Sequence, residues 1–280
     1  MSYKINFKSL RQEGLKPLFD TLENAFTGLD IDFYILGAVA RDTWLVKYGL
    51  MSIGTNDLDF AVYIASKGQY KLLTQYLCEK HDFKASKENT YKFYSPGGLE
   101  VDLLPFGDIE IEGKLMLDGT GMHRISANGF KEVYEFGTEK VAFENDKIFN
   151  VCTLPGIVIL KLIAYDDRPE LRQKDIQDIR LILKHYFSIE TDLIYDRHID
   201  LFGEEIEHVS HIAARVLGRQ MKAIFVQSKH LEERIISILK EVIEHPKKSR
   251  MAQLMVAGTE QNIDSAIEIL KELLKGIQDE

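Results

Sequence analysis

The residues Phe33-Tyr34-Ile35-Leu36-Gly37-Ala38-Val39-Ala40-Arg41-Asp42 constrain this chain more than any other stretch, because they join an apolar strand, a tight turn and a helix start. They are answered by Asn56-Asp57-Leu58-Asp59-Phe60-Ala61-Val62, which sets two acids at the entrance of a second strand. Side chains alternate along a strand, so Asp57 and Asp59 project to the same side. Two carboxylates on one side repel each other unless a cation lies between them. A hard divalent ion such as Mg²⁺ answers that need, held by one or two carboxylates together with substrate phosphates. Gly37 lets a triphosphate come close to the backbone, and the helix that follows offers N–H groups to it. The stretch predicts a metal-assisted nucleotide site.

Composition narrows the setting. The 280 residues suit one large or two medium domains, and a 45% share of hydrophobic residues is enough for a proper core. A net charge of −9 and a pI of about 5.5 argue against a protein whose main work is to coat nucleic acid, though a local basic groove stays open. The two cysteines, Cys78 and Cys152, lie in unrelated segments without a CxxC partner. That speaks against a disulfide framework or structural zinc and for a reducing cytoplasm. The N-terminal residues lack the apolar core of a signal peptide, and no apolar run is long enough to span a bilayer, so no membrane role is expected.

Along the chain, Leu10, Leu15, Leu18, Phe19, Leu22 and Phe26 predict one helix over 7–26, ended by Gly28. A strand over 31–36, a helix over 38–48 and a strand over 58–64 follow, then a helix over 69–80. Pro96-Gly97-Gly98 joins strands over 90–95 and 99–106 into a hairpin, and the second strand carries Asp102 between Val101 and Leu103. From Ile109 to Asn150 short alternating runs, among them Ile109-Glu110-Ile111, Val133-Tyr134-Glu135-Phe136, Val141-Ala142-Phe143 and Ile148-Phe149, predict an extension of the sheet. Leu154-Pro155-Gly156 opens a helix, and helical spacing dominates thereafter. The fold class expected is α/β: a mixed twisted sheet with flanking helices over 1–153, followed by a helical domain over 154–280. The active site is expected in the cleft between them.

Asp57, Asp59 and Asp102 form a candidate triad. In a two-metal site such acids clamp both ions, which stabilise the attacking and leaving oxygens of an in-line displacement. Asp102 also suits removal of a proton from an acceptor hydroxyl. These residues carry a resemblance. Gly37-Ala38, Asp57-Leu58-Asp59-Phe60 and Glu100-Val101-Asp102-Leu103 resemble the nucleotidyltransferase superfamily of DNA polymerase β. The turn Gly37 to Asp42 also resembles that of CCA-adding enzymes. Leu154 to Ala164 and Arg172-Gln173-Lys174-Asp175-Ile176-Gln177-Asp178-Ile179 are similar to AbiEii-type nucleotidyltransferases, toxins of abortive-infection and toxin–antitoxin systems. The resemblance runs from about Ile31 to about Arg219.

The resemblance implies a polymerase β-like nucleotidyltransferase domain that uses Mg²⁺ and an NTP. By position, Gly37 and Ala38 would hold the nucleotide phosphates, Asp57, Asp59 and Asp102 would bind metal, and Asp102 would add the base role. Lys161 matches the family lysine near the phosphates, and Lys174, Asp175 and Asp178 match a KD-x-x-D segment. Arg41 is grouped with these nucleotide-binding residues. Two departures stand out: Ala38 replaces the family's Gly or Ser, and the gap from the turn to Asp57 is long.

Read without the family, Lys161 is the only charge between Leu154 and Tyr165, so it either snorkels to the surface or meets an anion. Leu171, Asp175, Ile182 and Tyr186 fall on one helical stripe, where Asp175 pairs with Lys161 or another base, or edges the stripe. Lys174 and Asp178 also fit a surface i,i+4 pair. His208 and His211 have a metal-ligand spacing but no third ligand. His123-Arg124, in a Gly-rich loop, and Arg215 with Arg219 are weaker candidates for substrate contact. The reaction expected is transfer of a nucleoside monophosphate from an NTP to a hydroxyl acceptor, RNA or a protein side chain in the toxin reading, with an antitoxin protein as partner. The rivals are a small-molecule nucleotidyltransferase of the aminoglycoside-modifying kind, and a non-catalytic nucleotide- or antitoxin-binding module.

Overall fold

Aromatic and β-branched residues crowd the first half of the chain, and in the computed structural model they lie on paired strands. The structure describes residues 4–109, 114–116, 124–144, 147–203 and 208–279. The chain divides into two compact units, Met1–Thr153 and Leu154–Glu280.

In the first unit a 3₁₀ turn, Phe7–Leu10, precedes helix α1, Leu15–Gly28. Strand β1 (Phe33–Leu36) runs straight into helix α2 (Gly37–Lys47), and β2 (Asp57–Tyr63) leads to α3 (Lys67–Lys80). Next come β3 (Lys84–Ala85), β4 (Lys92–Tyr94) and β5 (Glu100–Phe106). Strands β6 (Lys114–Met116) and β7 (Arg124–Ser126) pair only with each other among the described residues. Helix α4 (Phe130–Phe136) and strands β8 (Thr138–Ala142) and β9 (Ile148–Cys152) complete the unit.

The main sheet, among the described residues, has seven strands in the order β3-β4-β5-β2-β1-β9-β8. β2 runs parallel to β5 and β1 parallel to β9, while the remaining neighbours are antiparallel. This is the mixed sheet with flanking helices that the sequence predicts. Alternation sends Phe33 and Tyr34 to opposite faces, and each face grows its own aromatic layer. On one face Phe33 meets Phe26 of α1 at 4.5 Å between ring centres, and Phe19 meets Phe60 and Phe149 at 5.4 and 5.3 Å. On the other, Phe106 meets Tyr34, Tyr63 and Tyr134 at 5.7, 5.4 and 5.5 Å. Such ring pairs add about 0.5–1.5 kcal/mol each beyond the area they bury.

Three local expectations are corrected. The helix over 7–26 breaks at Arg11 and Gly14, both left-handed, with φ of 54° and 76°. The Leu10 carbonyl accepts from Ser52 Oγ, and Asn6 caps the 3₁₀ turn, so tertiary and capping bonds replace a continuous helix. Val133-Tyr134-Glu135-Phe136 is helical within α4, not a strand. Four residues fit either period, and the helix places Phe130, Val133 and Tyr134 on one side while leaving Phe136 exposed. Leu171 precedes its helix and is exposed, so it does not belong to the Asp175 stripe. Residues Glu110 and Ile111 lie outside the described residues.

Among the described residues the second unit's regular structure is all helical: α5 (Leu154–Asp167), α6 (Gln173–Ile189), α7 (Thr191–Arg197), α8 (Val209–Ile224), α9 (Lys229–Glu244), α10 (Arg250–Val256) and α11 (Ile263–Gln278), with a 3₁₀ turn at Ile199–Leu201. Helix α5 is buried nearly all round, which explains its continuous apolar run. Among the described residues no helix is long and apolar enough to cross a membrane. Helices α8 and α11 touch backbone to backbone: a Cβ on Gly218 would stand 2.2 Å from the Leu273 carbonyl oxygen, and one on Gly276 would stand 2.0 Å from that of Arg215. Gly218→Ala should therefore cost about 2–3 kcal/mol in urea unfolding by forcing the helices apart. Gly28→Ala, where a Cβ meets nothing within 4 Å, serves as the control and should be close to neutral.

Candidate active site

The turn between β1 and α2 is built on one residue. Gly37 has φ of +67°, and a Cβ there would lie 1.9 Å from Asp59 Oδ2. Backbone conformation and the packed carboxylate both exclude a side chain. Gly37 and Ala38 open α2, whose N-cap Leu36 has no side chain able to accept from the first-turn N–H groups.

Strand register gathers the acids. In the parallel pair Asp59 stands opposite Asp102 and Asp57 opposite Glu100. In the antiparallel pair beyond it, Lys92 stands opposite Asp102 and Tyr94 opposite Glu100. Two rows result, Lys92–Asp102–Asp59 and Tyr94–Glu100–Asp57, on one face of the sheet, while Leu58, Val101 and Phe93 are buried on the other. Lys92 Nζ pairs with Glu100 Oε2 and lies 3.8 Å from Asp102 Oδ1.

These contacts shape the charges. Burial, with repulsion by Asp59, Asp57 and Glu100, pushes the Asp102 carboxyl up to about 7 against the pull of Lys92. Glu100 is held below the usual carboxylate range, chiefly by the hydrogen bond from Lys92 and also by one shared with Asp57. Burial would lower the Lys92 ammonium, but Glu100 and Asp102 outweigh it and raise it above its ordinary value. Asp102 Oδ1 is buried without a hydrogen-bond partner. All the donors are hard oxygens and one is unsatisfied, a set that fits Mg²⁺. No three His, Cys, Asp or Glu side chains among the described residues stand together as a ready metal group.

Helix α2 also controls the loop before β2. Asp42, 1% exposed, accepts on Oδ2 from Ser52 Oγ at 2.7 Å, Ile53 N at 3.0 Å and Gly54 N at 2.8 Å. Its Oδ1 accepts from Arg41 Nε at 2.7 Å. Thr55 Oγ1 then accepts from Asp57 N at 3.2 Å. The long gap between turn and acids is thus a loop tied back to the helix. Arg41, expected at the phosphates, is 3% exposed and joined to Asp42 inside this anchor.

The other expected residues lie in the second unit. Lys161 is buried and pairs with Asp175 Oδ1 and Asp178 Oδ2, each at 2.7 Å. Burial would lower its ammonium, but the two carboxylates outweigh that and hold it raised. Lys161 has met anions supplied by the chain itself. Lys174 is exposed on α6. Arg215 and Arg219 do not wait for an acceptor: both pair with Asp279, Arg215 also with Glu272 and Arg219 with Asp200. The rings of His208 and His211 meet edge to face at 5.4 Å, with no metal group around them among the described residues. His123 and the loop 118–122 lie outside the described residues. Glu100, Lys92, Asp42 and Ser52 were not singled out from sequence. Glu100 was legible, since Glu100-Val101-Asp102 repeats the spacing of Asp57-Leu58-Asp59. Lys92 and Ser52 depend on register and loop path.

Folded protein keeps the Asp102 proton up to about pH 7, whereas the unfolded chain releases it near 3.8. The folded state thus binds the extra proton between those values, and stability falls as pH rises through that window. With a chelator present, Asp102→Asn should gain about 2 kcal/mol or more on the wild type between roughly pH 5 and pH 8 in urea unfolding. An identical pH response in the two proteins would remove Asp102 as the strained acid.

No family model matches the chain, and no curated protein matches it. Among solved structures the chain is similar to the antibiotic-resistance factor ANT(2'')-Ia, with 15% identity, 69% of this chain and 97% of that chain covered, and a TM-score of 0.39. It is also similar to the Elizabethkingia meningoseptica CdnE cyclic dinucleotide synthase, with 9% identity, 99% and 95% of the two chains covered, and a TM-score of 0.29. Both likenesses are distant, and neither decides the chemistry.

Proposed function

We propose that the protein is a nucleotidyltransferase of the DNA polymerase β type, moving a nucleoside monophosphate from an NTP to a hydroxyl with release of pyrophosphate. The observation that carries this reading is the register of Asp59 with Asp102 on parallel strands, directly over the side-chain-free turn at Gly37. Asp57, Asp59 and Asp102 are the residues that would hold Mg²⁺, which when bound neutralises charge on the reacting phosphates. Gly37 and the start of α2 present backbone N–H groups to the triphosphate. Asp102 would also accept the proton of the acceptor hydroxyl. The acceptor oxygen bonds to the α-phosphorus as the bond to the bridging oxygen breaks, and pyrophosphate carries away the electron pair. Catalysis rests on positioning and electrostatics, with no covalent intermediate on the protein.

The AbiEii resemblance supports RNA as the acceptor in this proposal, with an antitoxin protein as regulator and the cytoplasm as the setting. A second reading, a small acceptor that carries amino groups beside its reacting hydroxyl, is favoured by the four carboxylates on the reacting face, which attract a cation and repel a polyanionic acceptor. Pyrophosphate release with each NTP and Mg²⁺, comparing total RNA with a panel of amino sugars, tests both. Asp59→Ala should lower turnover by about 10³-fold or more while leaving the fold intact. Full turnover in that variant would refute the site. Release driven by the amino sugars alone would select the second reading.

A further inference from the structure

The carboxylate face carries a cation that its proposed chemistry has not used. Lys92 reaches across from β4 to Glu100 and stands 3.8 Å from Asp102 Oδ1. It satisfies Glu100 but not Asp102, whose Oδ1 stays buried without a hydrogen bond. One ammonium facing four carboxylates leaves the face strongly negative. Lys92 itself is not locked in the core: its side chain is 19% exposed and rides on a flexible four-carbon stem.

We propose that Lys92 is an exchangeable counter-ion: it braces Glu100 and Asp102 in the metal-free protein, gives way to a divalent cation, and turns to the triphosphate that accompanies the cation. The inference rests on the nucleotidyltransferase reading. The physical reason is competition. A divalent ion outbids an ammonium for carboxylate oxygens and then repels it, and the nearest strong anion is the phosphate chain of the substrate. Lys92 thereby keeps the acids together before substrate arrives and adds a phosphate ligand afterwards. A lysine that served only to hold the strands would do the opposite, because its loss would splay the acids and weaken metal binding. The sign of one affinity change separates the two roles.

The test is Mn²⁺ binding by calorimetry to the full-length wild type, Lys92→Met and Lys92→Arg, followed by NTP binding at saturating Mn²⁺. Lys92→Met should bind Mn²⁺ about 5- to 10-fold more tightly and the NTP about 5- to 10-fold more weakly, with Lys92→Arg close to wild type in both. Mn²⁺ affinity that is unchanged or weaker in Lys92→Met would overturn the counter-ion role. Tighter Mn²⁺ with unaltered NTP binding would overturn the phosphate contact. Wild-type protein that binds no Mn²⁺ would overturn the nucleotidyltransferase reading together with this one, whereas wild-type turnover with no effect of Lys92 variants on either affinity overturns this one alone. Should Lys92→Met fail to fold, Lys92→Gln, which keeps a donor to Glu100 without the charge, carries the same comparison.

Discussion

Like charges held in register on neighbouring strands repel, and a fold that keeps them there has to hold them from outside. Asp59 and Asp102 face each other across the parallel pair β2 and β5, with Asp57 and Glu100 one row away. The ladder of backbone hydrogen bonds and the buried aromatic layers on both faces fix the strands, so the carboxylates cannot separate by sliding. What remains is to raise a pKa, to recruit Lys92, or to take a cation. The structure shows the first two, in the elevated Asp102 and the Lys92–Glu100 pair.

Helix α2 is the second holder. Its first residue, Gly37, lies directly against the Asp59 carboxylate, and its sixth, Asp42, ties down the loop that leads to Asp57. Trp44, further along, donates to the Cys152 carbonyl at 2.7 Å and fastens the helix to β9. One helix thus sets the turn, the loop and the sheet position together. The buried Asp42 stays compensated by Arg41 and by three donors from the loop, the condition under which a buried carboxylate is tolerated.

The helical unit solves its charge problem internally. Lys161 sits within the most apolar helix of the chain and is met by two aspartates from α6. A buried group of this kind, once paired, is costly to break and stabilises little over apolar packing. Arg215 and Arg219 converge on Asp279 in the same manner. Their spacing suggested a binding face, but helical spacing gives the same pattern whether the partner is a ligand or another part of the chain.

Much of the first unit was legible because its signals are local. The hairpin at Pro96-Gly97-Gly98, the strand-to-helix turn at Gly37 and the shared side of Asp57 and Asp59 follow from backbone preferences and alternation alone. Failures came where one window fits two periods, as at Val133 to Phe136, or where a distant donor ends a helix, as Ser52 does at Leu10. By itself the sequence determined which residues carry charge and on which side of a strand they stand, since those depend on near neighbours. Only the tertiary structure decided which charges meet. Asp102 facing Asp59, Lys92 between Glu100 and Asp102, Arg41 turned inward and Lys161 closed by Asp175 and Asp178 all depend on strand register and helix packing, which bring together residues far apart in the chain.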